Sequence, residues 1–125
     1  MTERDTANAE TLAQRGLDLL SGGEPHEAAR SFRAAIAADG QYMEAYYGLV
    51  RALREAGQLE GSIGAALAIT VLTPGDPRAH AALALSLRQA GHLPEAQKAA
   101  ARARVLEWKS ALQSPAQTPE PDPRP

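Results

Sequence analysis

The chain has 125 residues, a formal net charge of −2 and no cysteine, and this length fits a single domain. Without cysteine it can form no disulfide and no Cys-ligated zinc site, and this composition suits a reducing cytoplasm. The small negative charge argues against a nucleic-acid partner, and no apolar run approaches the ~20 residues of a membrane span.

The residue types favour close-packed helices. The chain contains 27 alanines and only five aromatic residues, and alanine has the highest helix propensity of all residues. We therefore predict an all-α fold. Eleven arginines against two lysines form a bias typical of GC-rich bacterial genomes, so we expect a cytoplasmic protein of bacterial origin.

Six helices are predicted in chain order, near residues 6–21, 25–39, 42–56, 59–72, 77–90 and 94–113. Residues 1–8 carry charges and no apolar core, so we expect a flexible N-terminus that is not a secretory signal. Pro25 and Pro94 fall in the first turn of their helices, where the missing N–H has no helical partner in any case.

The last twelve residues, 114–125, differ in character from the rest of the chain. Five of these residues are proline. A segment of this kind cannot bury enough apolar surface to offset the entropy lost on ordering. We therefore predict a disordered, proline-rich tail.

The helices are organised as a repeat. Gly23, Gly57 and Gly91 are spaced by 34 residues, and glycine ends a helix readily because it adopts the left-handed conformation at little cost. Sliding the chain over itself by the same step aligns further columns: Leu19 with Leu53 and Leu87, Gly16 with Val50 and Ala84, and Phe32 with Ala66 and Ala100. The period divides the chain into three copies, at about 9–42, 43–76 and 77–113.

This pattern resembles the tetratricopeptide repeat (TPR) family, whose unit is a helix-turn-helix of 34 residues. The resemblance covers residues 9–113 and implies a right-handed superhelical stack of three hairpins with an extended last helix. Arg15 stands where the other copies have Leu49 and Leu83, so we expect repeat one to be a solvated cap. Gly64 is expected to pack against a neighbouring helix, where a side chain would overpack the contact.

The resemblance also implies a site. The first helices of TPR repeats line a concave groove, and the stripe opposite their buried residues faces it. Because Tyr and Arg often anchor protein interfaces, we predict a groove that binds a peptide or helix carrying acidic and apolar side chains. Its predicted residues are Leu17, Leu20, Tyr47, Arg51, Arg54, Arg78, Leu85 and Arg88. The alternative for the apolar members is that they fill the space between neighbouring helices.

The predicted last helix presents a second apolar stripe, Val105, Trp108 and Leu112. In a longer array the next first helix would cover this stripe, and leaving a Trp or Leu in water forfeits roughly 1.5–3 kcal/mol relative to full burial. We predict an end-face contact there with a partner protein or with a second copy, the latter giving a two-fold homodimer. The alternative is that Trp108 folds back over the open end of its own core.

No motif supports an enzyme. The pair His26-Glu27 lacks the second histidine of a zinc HExxH motif, and residues 61–64, Gly-Ser-Ile-Gly, lie inside a predicted helix rather than at the strand-to-helix turn of a nucleophile elbow. We therefore expect no catalytic, metal or cofactor site and predict a non-enzymatic protein-interaction module, a scaffold or adaptor. The alternatives are a self-associating structural module and an auxiliary subunit of an enzyme complex.

Overall fold

The computed structural model describes residues 3–113 as six α-helices: α1 (Glu3–Ser21), α2 (Pro25–Ala38), α3 (Met43–Glu55), α4 (Leu59–Leu72), α5 (Pro77–Gln89) and α6 (Leu93–Gln113). Consecutive helices pack against one another, and α1, α3 and α5 also contact each other in that order. The prediction of three helical hairpins with an extended last helix is confirmed. The predicted tail, 114–125, lies outside the described residues.

The helix α1 begins earlier than the sequence indicated. Residues 3–8, which we expected to be flexible, form its first turns. Glu3 and Asp5 place negative charge in the first turn, where it is favoured by the helix dipole. Thr6 Oγ1 also donates a hydrogen bond of 3.1 Å to the carboxylate of Asp39, which is buried directly after α2. This contact ties the start of α1 to the end of its partner helix and corrects the prediction of a flexible segment from residue 3 onward.

The three turns inside the hairpins share one geometry. Gly23, Gly57 and Gly91 all have positive φ, at 77°, 79° and 88°. Each glycine N–H donates to the carbonyl three residues before it, and the next N–H donates to the carbonyl five residues before it. This pair of bonds is the Schellman motif, which satisfies the last carbonyls of a helix and favours glycine at the left-handed position. The 34-residue glycine spacing is therefore the spacing of three equivalent helix ends.

The core is divided into two clusters, one at each seam between repeats. In the first seam the ring of Phe32, 1% exposed, lies between α1 and α3. A Cβ at Gly16 would lie only 2.7 Å from Phe32 Cζ, and a Cβ at Gly48 would lie closer still to the same ring. Two glycines thus make room for one large aromatic side chain, which fills the space that their missing side chains leave.

The second seam uses a different combination of sizes at the same positions. One period after Gly16, Phe32 and Gly48 come Val50, Ala66 and Ala82. Here the central residue is small and its neighbours carry side chains, so the volume is redistributed rather than lost. The packing of one large aromatic ring against two glycines is therefore a property of the first seam alone.

Two expectations about single residues have different outcomes. Arg15 is exposed while Leu49 and Leu83 are buried, which agrees with a solvated first repeat. The expectation that Gly64 packs against a neighbouring helix is wrong. Gly64 is exposed, and a Cβ there would meet no atom within 4 Å. The glycines that admit a close neighbour are Gly16 and Gly48 instead.

Candidate functional site

A concave pocket of about 290 Å³ lies between α1 and α3. Phe32, Ala13 and Gly48 are buried and also line it, so they form an apolar floor. The remaining lining residues come from the groove-facing sides of the two helices and the turn before α3: Glu10, Gln14, Leu17, Tyr42, Glu44, Tyr47 and Arg51. The structure therefore brings together three of the predicted groove residues, Leu17, Tyr47 and Arg51, around one cavity.

Leu20 does not belong to this groove, and its prediction as a groove residue is wrong. Its side chain is 6% exposed and packs in the first core cluster with residues of α3 such as Leu49 and Leu53. It continues the buried stripe of α1 that runs through Ala13 and Gly16. Leu20 therefore faces the next repeat. This agrees with the alternative that the apolar residues among those predicted for the groove fill the space between neighbouring helices.

Arg54 and Arg88 follow Leu20 at intervals of 34 residues and so occupy the equivalent position in repeats two and three. Arg54 is half-buried, and its pKa is lowered chiefly by this desolvation and further by Arg51, against an opposing effect of Glu55. Arg88 is exposed and lines a separate pocket with Leu93 and other residues of α6. Arg88 therefore lies on the C-terminal end of the stack and not in the pocket between α1 and α3.

Tyr47 and Arg78 form a network that joins repeat two to repeat three. The Tyr47 hydroxyl donates a 3.0 Å hydrogen bond to Asp76 Oδ2, and Arg78 lies over the Tyr47 ring at 4.8 Å from its centroid. Asp76 is also the N-cap of α5, because Oδ1 accepts a 2.9 Å bond from the Arg78 N–H. Arg78 is in addition paired with Asp76 at 3.1 Å and with Glu44 at 3.6 Å.

The network shifts the pKa values of both Tyr47 and Asp76. Burial and the hydrogen bond to the Asp76 carboxylate raise the pKa of Tyr47 to about 12. Desolvation alone would raise the pKa of Asp76, but the hydrogen bonds from Arg78 and Tyr47 outweigh it and hold that pKa below its usual range. At neutral pH the hydroxyl is therefore a stable donor and the carboxylate a stable acceptor.

Arg51 also has a partner within the chain. Its Nε donates to Glu55 Oε2 at 2.6 Å, one helical turn along α3. Two of the four predicted groove arginines, Arg51 and Arg78, thus have their charge balanced by carboxylates of the protein itself. Leu85 is half-buried and does not line the pocket.

Two carboxylates without such balance lie at the pocket. Glu10 has no ion pair among residues 3–113, and Glu44 has only the 3.6 Å contact with exposed Arg78. Burial raises the pKa of Tyr42, and the charges of Glu10 and Glu44 raise it further. Both carboxylates therefore act on the same tyrosine hydroxyl, and all three side chains line the cavity.

The stripe Val105, Trp108 and Leu112 is exposed, at 43%, 65% and 55%. The alternative that Trp108 covers the open end of its own core does not agree with this exposure. The assignment of the stripe to an end-face contact stays a prediction. Val71, one period before Val105, is 79% exposed although repeat three follows it. The position of Val105 is therefore one that a following repeat leaves exposed, whereas Trp108 and Leu112 have no equivalents in α4, which ends at Leu72.

The surface at the C-terminal end of the stack can be identified by comparing α6 with α4 at the same 34-residue offset. Ile63 and Ala66 of α4 are buried in the second seam with residues of α5. One period later, Gln97 and Ala100 line a pocket of about 250 Å³ with Arg88. A following repeat would cover this surface, which is mixed in polarity, because Leu93 and Ala96 also line the pocket beside polar Arg88 and Gln97.

The three histidines lie near turns. His80 contacts the carbonyl of Pro74 at 3.0 Å, and His26 and His92 are each 3.4 Å from a side chain of repeat two, Gln58 and Glu60 respectively. Within residues 3–113 no three His, Cys, Asp or Glu residues are grouped as metal ligands. The helices of the same range include none with the length and apolar character needed to cross a bilayer.

Comparison with known proteins agrees with the geometry. A family model described as tetratricopeptide repeat matches residues 13–77. Among solved structures, MamA is 28% identical with a TM-score of 0.77, and the match covers 86% of this chain and 63% of the MamA chain, so this chain spans less than two thirds of its length. No curated protein sequence matches the chain.

Two further solved structures resemble the fold at lower identity. The type III secretion translocator chaperone SycD of Yersinia enterocolitica is 23% identical with a TM-score of 0.77, and the match covers 92% of this chain and 84% of SycD. PcrH, crystallised with the chaperone binding region of PopB, is 22% identical with a TM-score of 0.77, and the match covers 94% of this chain and 90% of PcrH. These similarities confirm the predicted all-α superhelical stack.

Proposed function

The chain belongs to the tetratricopeptide repeat family, and we propose that it is a non-enzymatic adaptor that binds a segment of another protein in the groove between its first helices. The observation that carries the proposal is the pocket between α1 and α3, with its apolar floor and a rim of polar side chains. Small sites of this kind, mostly apolar with a few placed polar groups, are typical of binding clefts. The structure of PcrH with a region of PopB supports it by likeness of fold.

Leu17 is the most informative groove residue. It is 42% exposed at the pocket, and the cost of leaving a leucine partly in water is recovered when a partner covers it. Tyr47 and Arg51 lie beside it as candidate interface anchors. Leu85 and Arg78, one period after Arg51 and Glu44, extend the proposed contact surface toward repeat three.

The test replaces Leu17 with glutamate and compares it with a matched control. Leu67 is also a helical leucine, 48% exposed, but it lies on the outward face of α4. The protein is labelled with a photo-crosslinker and exposed to lysate of the source organism. We expect Leu17→Glu to abolish the crosslink to the partner and Leu67→Glu to leave it intact. Circular dichroism checks that both variants fold. Equal crosslinking by both variants would show that the groove is not the binding surface.

The exposed stripe of α6 supports a second role in self-association. Val105, Trp108 and Leu112 form an exposed apolar surface on the last helix. Pairing of two such helices would be two-fold and self-complementary, and would suit a structural module or an auxiliary subunit of an enzyme complex. Light scattering coupled to size exclusion should show a dimer for the wild type at micromolar concentration and a monomer for Trp108→Glu. A monomeric wild type contradicts this role.

We also propose a bacterial, cytoplasmic setting. The absence of cysteine from the sequence and the excess of arginine over lysine support it. Fractionation of the source cells with an antibody against the chain tests this, and recovery of the protein outside the cytoplasm would contradict it.

A further inference from the structure

The chemistry of the groove's partner can be inferred from the charges that the protein leaves unbalanced. Arg51 is paired with Glu55 at 2.6 Å, and Arg78 with Asp76 at 3.1 Å. Arg51 is the one cationic side chain among the residues that line the pocket. The expectation of acidic side chains in the partner depended on arginines that would be free to meet them, and these two are not.

The charge that remains at the pocket is negative. Glu10 of α1 and Glu44 of α3 occupy equivalent positions, one period apart, and line the cavity from its two sides. Glu10 has no ion pair among the described residues, and Glu44 shares only a 3.6 Å contact between two exposed side chains. Contacts of that kind contribute little because water screens them. The two carboxylates therefore face a common space with most of their charge available.

The walls of the pocket suit a cation that carries a long apolar stem. Phe32 lies at the floor, Leu17 at the rim and the rings of Tyr42 and Tyr47 at the sides. Lysine and arginine bury their methylene groups along apolar surface while the charged end stays near polar groups. The faces of aromatic rings also attract cations, and Arg78 already lies over the Tyr47 ring within the protein. At about 290 Å³ the cavity is at the lower limit of pockets for drug-sized ligands and suits a single side chain.

We propose that this pocket receives one lysine or arginine side chain of the bound protein segment, with its stem on Phe32 and Leu17 and its charge between Glu10 and Glu44. The proposal rests on the proposed function, since it names the side chain by which the groove recognises its partner. Binding of one basic side chain in this pocket would also fix the register of the bound segment, because only one residue of the segment can enter the cavity.

The experiment selects random twelve-residue peptides displayed on phage against the wild-type protein, with displacement by excess soluble protein. We expect the selected peptides to be enriched in lysine or arginine at one position flanked by apolar residues. A selected peptide is then synthesised, and its affinity is measured for the wild type and for the double variant Glu10→Gln with Glu44→Gln. We expect the double variant to bind at least about tenfold more weakly, and salt to weaken the wild-type complex.

The matched control is the double variant Glu95→Gln with Glu107→Gln, which removes two exposed glutamates of α6 and changes the net charge by the same amount. It should bind the peptide as the wild type does. Enrichment of acidic peptides, absence of any charge preference, or equal loss in both double variants would overturn the proposal while leaving groove binding in place. If Leu17→Gln, which removes the apolar contact without adding a charge that attracts a cation, does not weaken any selected peptide, the groove itself is not the site, and the proposed function fails as well.

Discussion

The close approach of Gly16 and Phe32 predicts opposite effects for two identical substitutions. Gly16→Ala places a Cβ 2.7 Å from Phe32 Cζ and 2.8 Å from both Cε atoms. The ring is 1% exposed and has little room to move, and overpacking of a core costs about 1–3 kcal/mol. Gly64→Ala is the matched control, because that glycine also lies within a helix but has open space around it.

Both substitutions gain about 1 kcal/mol of helix propensity, so their difference isolates the packing effect. We expect Gly64→Ala to raise the free energy of unfolding by up to about 1 kcal/mol. Gly16→Ala should lie about 1–3 kcal/mol below it. Urea unfolding followed by circular dichroism measures both values, with unchanged m-values as the check that the transition is comparable.

Repeating Gly16→Ala in a Phe32→Leu variant tests which atoms of the ring cause the overpacking. Leucine lacks the Cε and Cζ atoms that meet the new Cβ, so Gly16→Ala should become stabilising once Phe32→Leu is present. The coupling between the two sites is obtained from a double-mutant cycle. If Gly16→Ala stabilises the wild-type protein as much as Gly64→Ala does, the description of Phe32 as wedged between two glycines is refuted.

Three further predictions concern single residues. Tyr47→Phe should lower the free energy of unfolding by about 1 kcal/mol at pH 7. The wild type should lose stability between about pH 10 and pH 12, because the unfolded tyrosine releases its proton near 10.0 while the folded pKa is about 12; a Phe variant with the same pH dependence would contradict this. Gly57→Ala should cost about 1–2 kcal/mol because φ is 79°, and a neutral effect on the melting temperature would contradict the strain argument. Ser86→Ala should stabilise by about 1 kcal/mol, since Ser86 Oγ is the one buried side-chain polar atom of residues 3–113 without a partner, and a loss of stability would indicate a partner.

The helices and turns were predictable because their signals are local. Glycine at each hairpin turn and proline in the first turn of α2 and α6 indicate where helices end and begin. The start of α1 was not predictable in this way. It depends on the bond between Thr6 and Asp39, which are 33 residues apart.

The groove was only partly predictable, because helical spacing separates faces but does not say which neighbour each face meets. The face of α1 that carries Leu20 meets the next repeat, and the face that carries Leu17 meets the groove. Both faces carry a leucine, and the sequence alone did not distinguish them. Comparing repeats at the same offset distinguishes these two faces once one seam is known.

Some of what was missed did have a signal in the sequence. Arg51 and Glu55 are four residues apart on one helix, a spacing typical of ion pairs, so their mutual balance could have been predicted. The column in which Phe32 aligns with two alanines contains one residue far larger than the others, and this predicts compensating small residues nearby. No local signal predicts that Glu10 and Glu44 share a cavity with Tyr42.

Tyr47 belongs to two parts of the molecule at once. Its ring lines the pocket of the first two repeats, while its hydroxyl bonds to the N-cap of α5 in the third. A stack whose repeats contact only their neighbours can open at one seam while the other stays closed, and detachment of repeat three breaks this bond. A ligand that orders Tyr47 and the docking of repeat three therefore favour each other by the same free energy. We therefore expect occupancy of the pocket to increase the amide-exchange protection of helices that the ligand never touches.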